Sequence, residues 1–175
     1  MVARMEAEAA KAERRSGERS RQGGAAVRVP PPLVFVVLIA AGLVVHFWVH
    51  RLPIGLALAP RLVVGGLLVA TGVAVGLIAI GDFKRSGRPN PLPWHPSPEL
   101  LAQGPYRFSR NPMYLFETVQ MIGIGIASNC AWVVVLAPVF LAIVHFTAVL
   151  PEERYLAETF GESYERYRAK VRRYL

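Results

Sequence analysis

Apolar positions in this chain gather into four long runs, over 33–50, 62–81, 112–128 and 131–150. Each approaches the ~20 residues that an α-helix needs to cross a hydrocarbon core. The runs lack the polar face that a helix of a soluble bundle turns to water. The pattern therefore predicts an all-α, polytopic membrane protein with about four transmembrane helices. The first run follows a charged segment and no small-residue cleavage site comes after it, so it reads as a span and not as a secretory signal.

After residue 150 the pattern changes. Leu156, Phe160, Tyr164, Tyr167 and Val171 recur at helical spacing, which predicts an amphipathic C-terminal helix over 151–173 with one aromatic face. Residues 1–29 alternate Ala, Glu, Arg, Lys and Gly. So little apolar surface cannot offset the entropy of ordering, and the segment reads as a disordered or loosely helical tail ahead of a membrane domain spanning 30–175. The connection Ser128-Asn129-Cys130 is very short, so the third and fourth spans form an antiparallel hairpin. The loop before the third span and the segment after the fourth must then meet on one side of the membrane.

The spans differ in character. The second carries Gly65, Gly66, Gly72 and Gly76 with Ala70 and Ala74 between them, a spacing that lets helices approach closely in lipid. The third holds Glu117 and Gln120; an acid within a span is costly enough to suggest a functional or helix-pairing role, against a position that merely reaches the interface. The first closes on His46 and His50 beside Phe47 and Trp48, which suits an interfacial belt better than a metal site lacking a third ligand.

Charge changes the picture only through its placement. The net charge is +8, yet of the 20 Lys and Arg, seven precede the first span, five lie within 82–111 and six follow residue 150. The positive-inside rule then puts the tail, the central loop and the C-terminal segment in the cytoplasm, as an even number of spans requires. The basic surplus serves topology and anionic lipid, and implies no nucleic-acid partner. The single cysteine, Cys130, excludes an internal disulfide and a multi-cysteine metal site, and reads as a small apolar filler.

Candidate chemistry concentrates in the loop 82–111. Its stretch from Ser86 to Gly104 holds five prolines, at 89, 91, 93, 96 and 98, with Trp94 and His95, which make it too stiff for a linker and suited to covering a pocket. It ends in Gly104-Pro105-Tyr106-Arg107-Phe108-Ser109-Arg110-Asn111-Pro112-Met113-Tyr114, a cationic, aromatic stretch whose prolines forbid a continuous helix. The hairpin brings Tyr106, Arg107, Arg110, Asn111 and Tyr114 towards Glu152, Glu153, Tyr155 and Tyr167. Arginines pair with carboxylates, tyrosine faces attract cations and glutamates accept from amines and hydroxyls. An adenosyl amino acid bearing a sulfonium would use all three sets, although residue types alone do not single it out.

The 104–114 stretch, followed after a hairpin by Glu152-Glu153-Arg154-Tyr155-Leu156, Phe160-Gly161, Tyr164, Tyr167-Arg168 and Val171, resembles the isoprenylcysteine carboxyl methyltransferase and phospholipid methyltransferase superfamily. The resemblance covers about residues 81 to 173. It implies an integral membrane methyltransferase that uses S-adenosylmethionine. Cofactor binding then falls to Gly104, Pro105, Tyr106, Arg107, Asn111, Pro112, Met113, Tyr114, Glu152, Glu153 and Tyr167. Arg110 becomes a candidate to hold an acceptor carboxylate, and Glu153 or Glu117 a candidate base for an amine. Carboxyl methyltransferases usually have histidine where Asn111 stands; the Asn-Pro-Met-Tyr form also occurs in phosphatidylethanolamine methyltransferases. Phe116 replaces a common glycine.

The expected function is methyl transfer to a lipophilic acceptor at the membrane–cytosol interface, isoprenylcysteine carboxyl methyltransferase-like. A phospholipid N-methyltransferase and a small-thiol S-methyltransferase are the alternatives. A membrane reductase using NADPH shares a similar C-terminal region but normally has many more spans, and a non-catalytic membrane protein has no use for the intact motifs. The expected partners are a lipid or other lipophilic substrate and the bilayer itself.

Overall fold

A computed structural model describes Val27 and residues 29–85 and 100–175. The rest of the predicted tail and the proline-rich stretch 86–99, with its expected covering role, lie outside the described residues. Among the described residues there are six α-helices and no strand: α1 (Pro31–Val44), α2 (Leu58–Arg85), α3 (Pro112–Ala127), α4 (Ala131–Val144), α5 (Leu150–Phe160) and α6 (Glu162–Lys170). The fold is all-α, as the apolar pattern predicts.

Three stretches are long and apolar enough to cross a membrane, Pro31–Val49, Leu58–Asp82 and Ala131–Phe160. The helix over the third predicted run, α3, has 16 residues, about 24 Å at 1.5 Å per residue and short of a full span. Both its ends are set locally. Pro112 starts it in the first turn, where a missing amide is harmless. Beyond its last residue, the Ser128 hydroxyl donates back to the Ile124 carbonyl at 2.7 Å, and Asn129 turns the chain with φ of 56°.

The fourth run does not stop at residue 150. α4 continues through a π turn, His145–Val149, directly into α5. Pro151 explains the widening: it lacks an amide and its ring would press on the carbonyl one turn back. The Leu150 amide bonds instead to the His145 carbonyl, one residue further than in an α-helix. The predicted helix over 151–173 is broken at Gly161, whose φ of 51° and ψ of −125° are open essentially to glycine alone. α6 ends at Lys170, and Val171 after it has extended backbone angles.

The helices join in the order α2, α3, α4, α1. Glycines set the α2–α3 distance. A side chain on Gly65 would meet the Gly123 carbonyl at 2.6 Å and one on Gly123 would meet the Gly65 carbonyl at 2.8 Å. Gly72 lies against the Phe116 carbonyl and Gln120. Gly66 and Gly76, grouped with them in the sequence, face open space. The core lies where α3, α4 and α1 meet, with Met121, Cys130, Val133, Ala137 and Phe140 fully buried. Phe35 of α1 meets Phe140 edge-on at 5.8 Å. Outward positions such as Val36, Leu67, Leu77 and Val135 are exposed and apolar, as lipid-facing surface should be.

At the hairpin end, the Asn129 side-chain oxygen accepts from the Ile54 and Gly55 amides at 3.0 and 3.3 Å. His46 is buried and its Nδ1 accepts from the Leu52 amide at 3.3 Å, so it anchors this loop, while Trp48 stands exposed as a belt residue does. Cys130 is buried, its thiol 3.5 Å from the Gly42 carbonyl.

Candidate functional site

The stretch after residue 103 opens with a 3-10 turn, Gly104–Arg107. Gly104 adopts φ of 55°, and a Cβ there would collide with the Asp82 carboxylate at the end of α2. This close approach docks the loop on α2. Tyr106 is buried beside Ala79 and Leu101, with Met113 packed against them. The Tyr106 carbonyl accepts from the Tyr167 hydroxyl at 2.6 Å, which fastens the loop to α6. Burial raises the Tyr167 phenol well above its ordinary range, with neighbouring Tyr164 adding to the effect, so it stays a neutral donor.

The two sequence motifs meet through two acid contacts. The Tyr114 hydroxyl donates to Glu152 Oε1 at 3.1 Å. Arg110 Nη1 lies 3.2 Å from Glu153 Oε1, both side chains about nine-tenths buried. Glu153 has a further partner, Arg173, whose Nε donates to Oε1 at 3.0 Å and whose Nη2 donates to Oε2 at 2.7 Å. One carboxylate thus serves two guanidiniums. Arg110 Nη1 also donates to the Tyr164 hydroxyl at 3.3 Å. Burial, and then the charge of Glu153, raise the Tyr164 phenol, which keeps it protonated.

Residues 172–174 are stitched along the same loop. The Arg110 amide donates to the Arg172 carbonyl at 2.9 Å. The Arg173 carbonyl accepts from Ser109 Oγ at 3.1 Å and from Asn111 Nδ2 at 3.2 Å. The Tyr174 hydroxyl lies 2.8 Å from His145 Nδ1 on the π turn. Proline at 112 leaves Asn111 as the residue before the helix, and the bond from its amide to the Ser109 hydroxyl at 3.2 Å closes a tight turn.

The candidate residues are therefore placed unevenly. Arg110, Tyr114, Glu152, Glu153 and Tyr167 converge at the junction of α3, α5 and α6. Pro105 and Pro112 shape the backbone, and the Asn111 side chain binds the Arg173 carbonyl. Arg107 is exposed, its guanidinium 4.5 Å above the Phe108 ring. Glu117 lies one turn along α3 from Tyr114, and its Oε2 is buried without a partner among the described residues. Arg110 Nε is buried and unpartnered in the same sense. Arg173 and Tyr174 were not legible as site residues: only the arginine pair after Val171 hinted at them. No group of three or more His, Cys, Asp or Glu suited to a metal occurs among the described residues.

These features bear on what the junction can hold. Two buried polar atoms lacking partners, one cationic donor and one carboxylate acceptor, suit a ligand that carries both an anionic and a proton-donating group. A family model described as phospholipid methyltransferase matches residues 60–163, from the first turn of α2 into α6. No curated protein matches the chain.

Proposed function

The chain belongs to the phospholipid methyltransferase family, and from that membership we propose that it moves a methyl group from S-adenosylmethionine to a lipophilic acceptor at the membrane–cytosol interface. The observation that carries this reading is the meeting of the two motifs: Arg110 on Glu153 and Tyr114 on Glu152 close one polar junction at the end of an apolar helix bundle. The orphaned Arg110 Nε and Glu117 Oε2 fit a cofactor with a carboxylate and an acceptor with an exchangeable proton.

When bound, the sulfonium supplies an electrophilic methyl group, so the protein's task is alignment and the exclusion of water. Gly104, Pro105 and Tyr106 fix the loop on α2, and Tyr167 fixes it on α6. Tyr114 orients Glu152 by its hydroxyl bond, leaving the other carboxylate oxygen for ribose hydroxyls. The distribution of Lys and Arg supports a cytosolic junction, while acceptor lipid enters between helices.

The pairing of Arg110 favours an amine acceptor. A prenylcysteine carboxylate requires a cation to hold it, and the one spare donor of Arg110, its Nε, is taken in this reading by the cofactor's carboxylate. An amine must shed a proton, and Glu117, with its free Oε2, takes that proton as the nitrogen forms its new bond to carbon. Glu153, held by two arginines, is poorly suited to act as that base.

Calorimetric titration of S-adenosylhomocysteine into detergent-purified protein, with NADPH as comparison, tests the proposal. Micromolar binding of the nucleoside product alone is the expected result. Binding of NADPH alone, or of neither by folded protein, overturns it.

A further inference from the structure

The family match ends at residue 163, yet the site does not. We propose that Arg173 is a positioning residue that, by gripping Glu153, leaves Arg110 free to receive the carboxylate of the cofactor's amino-acid part. The inference rests on the methyltransferase reading above.

Charge arithmetic at the junction is the starting point. Arg110 and Arg173 bring two positive charges to the single negative charge of Glu153. Had Arg110 alone faced Glu153, a forked two-bond pair would neutralise it and occupy its donors. Arg173 takes that forked geometry instead, using both carboxylate oxygens at 3.0 and 2.7 Å. Arg110 is left with one oxygen, reached by Nη1 at 3.2 Å, and with the Tyr164 hydroxyl. Its Nε remains buried with no acceptor among the described residues.

A buried guanidinium donor without an acceptor is costly, and an anion at that position relieves the cost. Because Arg173 shares the Glu153 carboxylate with it, Arg110 keeps a donor for such an anion. The guanidinium of Arg110 is held by Glu153 and the Tyr164 hydroxyl, while its backbone amide is held by the Arg172 carbonyl at 2.9 Å and its neighbours Ser109 and Asn111 by the Arg173 carbonyl. The same short segment thus fixes where Arg110 sits and how much of its charge is spare. Arg173 itself is more than one-third exposed and takes its part through Glu153.

The test compares two ligands on full-length protein in detergent. S-adenosylhomocysteine carries the amino-acid carboxylate; 5′-methylthioadenosine lacks it. Arg173→Gln is expected to weaken the first by about tenfold or more, the scale of a charge-assisted hydrogen bond, and the second by less than about twofold. Arg173→Lys keeps the charge but cannot bridge both oxygens, so its loss falls between, and it carries the test if the glutamine variant fails to fold. Equal weakening of both ligands, or unchanged affinity for both, overturns the positioning role while leaving the enzyme reading intact. Failure of the unaltered protein to bind either ligand overturns both.

Discussion

Arg110 and Glu153 face each other across the α3–α4 hairpin, 3.2 Å apart and almost fully shielded from water. Neither motif is complete without the other, because each supplies the other's counter-charge. Glu153→Gln leaves Arg110 buried with no compensating anion, a change that costs about 3 kcal/mol in comparable buried pairs. Unfolding in micelles should show a clear loss of stability. Arg173→Gln should lose less, since that side chain already reaches solvent.

The Tyr114–Glu152 bond predicts a different failure. Tyr114→Phe keeps the ring but removes the hydroxyl that donates to Glu152, and the carboxylate loses its orientation. S-adenosylhomocysteine should bind about tenfold more weakly, in line with about 1–3 kcal/mol for a buried polar group stripped of its partner. Unchanged affinity would mean that Glu152 lies outside the cofactor site.

Glu117 separates binding from chemistry. Glu117→Gln should bind S-adenosylhomocysteine normally and lose about 10²–10⁴-fold in methylation of an aminophospholipid, the usual contribution of a positioned base. A prenylcysteine carboxylate sheds no proton, and its methylation would survive the substitution. Measuring both acceptors therefore identifies the acceptor class as well as the residue's role.

Helix approach offers a test independent of activity. Gly65→Ala and Gly123→Ala place a methyl group within 3 Å of opposing backbone, so α2 and α3 must move apart at a cost of about 1–3 kcal/mol. Gly66→Ala and Gly76→Ala meet nothing within 4 Å and should be neutral or stabilising by up to about 1 kcal/mol through helix propensity. Thermal unfolding of the four variants decides between packing and mere composition.

Tyr167 ties the loop to α6 and makes stability depend on pH. Its folded-state value is raised above the ordinary 10.0, foremost by burial. Its contribution is therefore fully present below about pH 10 and lost as pH rises through the folded-state value. Tyr167→Phe should lower stability at pH 8 by about 1 kcal/mol and flatten the alkaline decline, which a denaturation series from pH 8 to 11 would record.

Much of this architecture was legible because lipid imposes coarse rules. Each apolar run coincides with a helix, and the short Ser128-Asn129-Cys130 link with the turn between α3 and α4. Finer features escaped because they depend on tertiary partners. Pro151 reads as a helix boundary, yet a π turn over His145–Val149 absorbs it and the rod continues. Gly65 and Gly66 look equivalent in a row, and only the position of α3 separates them. In the site, residue types announced arginines meeting acids, but not which pairs. That Glu153 would pair with two guanidiniums at once was not readable from residue types. Arg173 carried little more signal than its place in an arginine pair, and only the return of the chain after Val171 brings it to Glu153.

That return also orders events in time. The loop before α3 emerges from the ribosome long before Arg172 and Arg173, whose carbonyls hold Arg110, Ser109 and Asn111 in place. Helices can enter the bilayer one after another, but the polar junction cannot be closed until Arg173 has been added. A nascent chain is thereby kept from assembling the site while its helices are still finding one another.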